Sequence, residues 1–176
     1  FVLSAVEDVD DRVLGYLDKG HTREDVVTAL EITRAAGVTL RPSLLPFTPW
    51  TTLSGYLELL EFVQNHDLVY QLDPVQLSIR LLLPPGSWLL DIPEIQPHLG
   101  SLVEEDFVYR WQHADPRVDM LQAQVARIAE EAASSSEDAA TTFNRIKELT
   151  HTTIFGQPTE AQTRYRRRRA RPPGLT

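Results

Sequence analysis

Apolar residues along this chain fall first into one dense run, then into two helical stripes, and then into a run again. FVLSAVE (residues 1–7) is an apolar segment of strand length that ends in an acid, as expected of a strand buried on both faces. DVDDRVLGYLDKG predicts a short helical turn with acids at its start and a stop at Gly20. Thr22 and Asp25 have the spacing of a capping box. Behind them Val26, Val27, Leu30 and Ile32 recur at helical intervals as far as Ala35-Ala36-Gly37. VTLRPSLLPF predicts a second strand over residues 38–45, bent at Pro42 because proline withholds a ladder donor. After the turn TPWTT, Thr52 caps a helix striped by Tyr56, Leu57, Leu59, Leu60 and Val63, which ends near Asn65. VQLSIRLLL is the third predicted strand, stopping at Pro84-Pro85-Gly86.

The order strand, helix, strand, helix, strand implies parallel pairing through right-handed crossovers. Alternation along the third strand puts Val75, Leu77, Ile79, Leu81 and Leu83 on one face and Gln76, Ser78 and Arg80 on the other. The first strand ends in Glu7-Asp8, and the second carries Arg41 and Ser43 on one parity. A small packed core would not tolerate these groups unpaired. The pattern therefore predicts a wide or incomplete barrel, with chemistry at the carboxyl ends of its strands and a polar ligand in its lumen. The expected architecture is α/β: half of a TIM-like (βα)6 barrel over residues 1–90, with three parallel strands and their crossover helices. A helical extension over 91–155 follows. It comprises a proline-broken connector, WLLDIPEIQPHLG, an aromatic piece from Phe107 to Trp111, and two alanine-rich helices near 117–133 and 137–150.

Charge divides the chain. Its net charge is −8, but six arginines lie in the tail RYRRRRAR. Without them 11 basic residues face 25 acidic ones, a net of −14 for positions 1–163. Such a body is a poor nucleic-acid platform, and no nucleic-acid partner is expected. The segment 156–176 cannot build a core and is expected to stay solvated and disordered. No apolar stretch approaches membrane-spanning length, so no membrane partner is expected, and without a secretory signal the expected compartment is the cytoplasm. The absence of cysteine excludes disulfides and any thiolate-held metal within these 176 residues. The chain opens inside its first strand, which predicts a fragment of a longer polypeptide. The exposed edge of that strand predicts self-association or cover by the C-terminal helices.

SAVEDVDDRVLGYLDKGHT, AAGVTLRPSLLPFTPWTT and VQLSIRLLLPPGS, in this order and spacing, resemble the second half of a radical S-adenosylmethionine (SAM) barrel. FTPWTT and IRLLLPPGS are most similar to the group called CUAEP/CCAEP-tail radical SAM proteins. The resemblance covers roughly residues 1–90. It implies a parent enzyme that cleaves SAM reductively with a [4Fe–4S] cluster to give a 5′-deoxyadenosyl radical, acting on a small-molecule or peptide substrate. By resemblance Glu7 contacts SAM, and Lys19 reaches its carboxylate. Gln76, Ser78 and Arg80 are expected in the same cofactor pocket, and Arg41 is the candidate for an anionic group of the substrate. The cluster's Cys-x3-Cys-x2-Cys loop has no counterpart here, the cysteine-bearing tail is missing, and Asp8 stands where the family has serine. The fragment is therefore expected to hold no cofactor tightly and to be inactive alone. Two other classes fit the same residues: a non-catalytic interaction module with an acidic body, and an unrelated TIM-barrel lyase using Lys19.

Other patterns carry less. His66, His98 and His113 lack metal-ligand spacing, PPGS is no phosphate loop, and Ser43 and Ser78 have no hydrolase setting. Trp50, Trp88 and Trp111 are expected in the core or at an interface.

Overall fold

The computed structural model describes residues 1–156, and the arginine-rich segment beyond them lies outside it. The chain is mixed α/β, with five α-helices and two small sheets among the described residues. β1 (Val2–Glu7) leads through α1 (Asp11–Tyr16) and α2 (Arg23–Ala35) to β2 (Leu40–Leu44). The two strands pair in parallel, from Val2 opposite Leu40 to Glu7 opposite Leu44, with an irregularity between Ala5 and Glu7. Pro42 lies within β2, opposite Ser4. Both helix starts follow their local signals. Thr22 and Asp25 form a full capping box on α2, and the Thr52 hydroxyl accepts the Gly55 N–H at the start of α3 (Leu53–Asn65).

The expected third strand is the principal correction. Pro74–Ser78 is a 3-10 helix, so no three-stranded parallel half-barrel forms. Asp73 caps it by accepting the Val75 N–H, and Pro74 sits at its first turn with φ already set. Arg80 keeps strand character in a single parallel bridge to Phe47, closed by Phe47 N–H to Ile79 O and Leu81 N–H to Phe47 O, and Leu83 in a single antiparallel bridge to Tyr109. Gln76 fills the gap in the sheet. Its Oε1 accepts the Leu44 N–H at 3.0 Å, where a carbonyl of a neighbouring strand would otherwise stand.

The connector and aromatic piece also hold an antiparallel hairpin, β3 (Leu99–Val103) with β4 (Val108–Trp111). Gly100 allows the two strands to come close there, since a Cβ would stand 3.1 Å from the Arg110 carbonyl oxygen. α4 (Pro116–Ser135) and α5 (Ala139–Phe155) then return to the βα layer. Val118, Leu121, Val125, Phe143 and Ile146 join Val6, Leu40, Leu44 and Tyr56 in one buried core. A second cluster, of Val13, Trp50, Leu81, Leu83, Leu89, Ile95 and Trp111, ties α1 to the segment 81–111.

Candidate functional site

β1 ends in an irregular turn that gathers ionisable groups. The ladder breaks between Ala5 and Glu7, and Glu7 takes φ +65°, a left-handed conformation uncommon outside glycine. Beyond the break the Glu7 carbonyl accepts the Leu45 N–H, while the Val6 carbonyl takes the Asp8 N–H and lies 3.1 Å from His21 Nε2. Lys19 returns to this point through the end of α1, where Asp18 has φ +50° and the Lys19 N–H bonds Leu14 O. Lys19 Nζ donates to Glu7 Oε1 at 3.1 Å, with about a quarter and a fifth of the two side chains exposed. Two residues twelve apart in sequence thus form a half-buried ion pair at the carboxyl end of a parallel strand.

Asp8 is buried immediately beside it. Its Oδ1 accepts the N–H groups of Val9 at 2.6 Å and Asp10 at 3.0 Å. Burial nonetheless pushes its carboxyl up to about 6, against the lowering effect of those two bonds. Aromatic groups and the second cluster close this end of the molecule. Tyr16 stacks on Trp50 at 4.7 Å, Arg12 Nη2 donates to the Trp50 carbonyl, and Trp50 Nε1 donates to Glu94 O. Thr48 and Thr51 bond each other through their hydroxyls at 2.9 Å, and Thr51 donates on to Pro46 O, which locks the turn between β2 and α3.

Of the residues singled out in the sequence, Glu7 and Lys19 are brought into direct contact. Gln76 comes near them through Leu44, which is both the register partner of Glu7 and the donor to Gln76 Oε1. Ser78 is buried and donates to Val75 O within its own 3-10 turn, and its carbonyl accepts Gln122 Nε2 of α4. Arg80 faces the helical side. It donates to Asp119 Oδ1 at 2.6 Å and to Trp111 O at 2.8 Å, with its guanidinium 3.5 Å from the Trp111 ring centroid. Gln76, Ser78 and Arg80 therefore do not share one strand face. Arg41 is exposed and lies over the Phe1 ring at 4.5 Å.

Asp8 and Asp119 carry more of the arrangement than the sequence indicated. Asp8 stood out only as an acid where the resembled family has serine. Asp119 lies 39 positions from Arg80, and no local pattern announces their pairing. Among the described residues no helix is long and apolar enough to cross a membrane, and no group of three His, Asp or Glu side chains is placed to hold a metal ion. No family model matches the chain, and neither a curated protein nor a solved structure matches it.

Proposed function

We propose that this chain is a piece of a radical SAM enzyme from its SAM- and substrate-facing side, in which Glu7 and Lys19 form the seat for the aminoacyl end of SAM. The observation that supports it most is the half-buried Glu7–Lys19 pair at the carboxyl end of β1. The aminoacyl end of SAM is a zwitterion. An ion pair that opens can offer its carboxylate to the ligand's ammonium and its ammonium to the ligand's carboxylate, replacing one charge-assisted bond by two. The parallel β1–α2–β2 connection, continued by the bridge at Arg80, supports the barrel side of the reading, since ligands gather where such strands end. Arg41 would serve as an anion contact for substrate.

The chain has no cysteine, so none of its residues fits a thiolate-held cluster. In the resembled class that cluster supplies the electron for reductive cleavage of SAM. The part assigned to the residues present here is to bind and orient. The lyase alternative is less well supported, because Lys19 Nζ is engaged with Glu7 rather than free to attack a carbonyl. The test is amide chemical-shift mapping of the labelled chain titrated with SAM, methionine or adenosine. SAM and methionine should shift residues around Glu7 and Lys19, and Glu7→Gln or Lys19→Met should abolish the effect. Shifts confined to other regions, or none up to the solubility limit of SAM, would overturn the assignment.

A further inference from the structure

β1 bonds β2 on one side only. The Val2 N–H donates to Thr39 O, which fixes the parity of the strand ahead of its break: Val2 and Ser4 turn their backbone groups to β2, and Leu3 and Ala5 turn theirs away. Two N–H and two C=O groups therefore face outward with no strand beside them among the described residues. His21 stops the open stretch at its carboxyl end, where its Nε2 lies against Val6 O. The start of the strand is also bare of cover on its side chains, since Phe1 is 74%, Leu3 71% and Val2 46% exposed. An open groove of about 260 Å³ runs between the sheet and α2, from Ser4 and Val6 across to Asp25, Val26, Ala29 and Leu40. The usual devices that blunt a bare edge are missing from residues 1–6, which contain no lysine, proline or other charged side chain.

We infer that the free edge of β1 is a strand-pairing site, occupied in the chain on its own by β1 of a second copy in antiparallel register about Ser4. The register follows from the positions of the outward groups. Leu3 and Ala5 lie symmetrically about Ser4, so a two-fold axis there sets Leu3 opposite the partner's Ala5, and Ala5 opposite the partner's Leu3. Each such pair exchanges two N–H···O=C bonds, giving four in all. Leu3 and Ala5 fall on one face and cover each other across the seam. The seam ends before Glu7, whose carbonyl is turned to Leu45 and whose carboxylate is held by Lys19, so its contacts are those of the apolar stretch from Phe1 to Ala5. The inference uses the backbone of β1 and stands apart from the radical SAM reading.

The test is sedimentation of the 176-residue chain over a concentration series, with two variants. Wild type should move from 19.9 kDa toward twice that mass as concentration rises. Ala5→Pro removes an N–H that makes no bond within the chain and points the proline ring outward, so it should hold the monomer mass while leaving the circular dichroism spectrum unchanged. Leu3→Lys, a gentler change, should do the same by placing like charges across the seam. A wild-type chain that stays monomeric overturns the inference, whether the Leu3 and Ala5 amides then exchange freely or are protected by another part of the same chain. A dimer that both variants leave intact overturns it as well, because the seam would then lie elsewhere.

Discussion

At the scale of single residues, Asp8 offers the sharpest prediction. Its carboxyl is buried and raised from 3.8 to about 6, so between those pH values the folded chain holds a proton that the unfolded chain has released. The stability this proton provides is fully present below pH 3.8 and is lost as the pH rises through about 6. The gap corresponds to roughly 3 kcal/mol. Asp25, Asp115 and Glu137 run the other way, since hydrogen bonds hold their carboxyls below the ordinary range. The signal is therefore the difference between wild type and Asp8→Asn, which keeps an acceptor for Val9 and Asp10 but cannot ionise. Urea unfolding at intervals from pH 4 to 7 should show the variant gaining on wild type by up to about 2 kcal/mol as pH rises. Parallel curves would mean that Asp8 is already well solvated. Residue-scale signals were also the most legible in the sequence. The capping box at Thr22 and Asp25 and the cap at Thr52 need only neighbours three positions apart, so local chemistry decides them without the rest of the fold.

At the scale of elements, legibility depended on whether a pattern competed with a local stop. The stretch from Val75 to Leu83 alternates as a strand does, yet Asp73-Pro74 directly before it is a turn-starting pair, and the turn prevailed. Alternation read across the whole stretch hid a 3-10 helix followed by a short extended piece. The hairpin β3–β4 was missed for the opposite reason. Its strands of five and four residues are half exposed, and their pairing depends on contact with Leu83 and on Gly100 meeting the Arg110 carbonyl. These are partners that no short window contains. The candidate site divided in the same way. Glu7 and Lys19 flank the short helix α1, twelve positions apart, and come together locally, whereas Gln76, Ser78 and Arg80 were grouped by a strand face that does not form. Gln76 now belongs to the sheet. Gln76→Ala should leave the Leu44 N–H unpaired and lower stability by about 1–2 kcal/mol, while Gln76→Glu, which retains the acceptor, should lose less. Chemical denaturation of both variants checks this, and equal losses would show that packing of the side chain matters more than its oxygen.

At the scale of the whole molecule, one side chain joins three parts that are remote in sequence. Arg80 belongs to the bridge beside Phe47, Trp111 ends β4, and Asp119 lies in the first turn of α4. The guanidinium donates to a carboxylate and to a carbonyl while its carbon lies 3.5 Å over an indole ring, and Asp119 uses its second oxygen to accept the His113 N–H. Trp111 is itself held by its Nε1–H donating to Leu81 O. Removing any one contact therefore loosens the junction between the βα layer, the hairpin and the helices. A planar fork that can stack and donate in two directions suits this position, and an ammonium does not. Arg80 and Asp119 are 26% and 30% exposed, so solvent weakens their attraction, and the bonds and stacking together should amount to about 2 kcal/mol. Arg80→Lys should thus lower the melting temperature by roughly 5 °C although it preserves charge. Asp119→Asn should cost less, because the amide oxygen still serves His113, and the double variant should cost less than the sum of the two. Strict additivity in a thermal-melt double-mutant cycle would refute the junction and leave Arg80 as an independent surface contact.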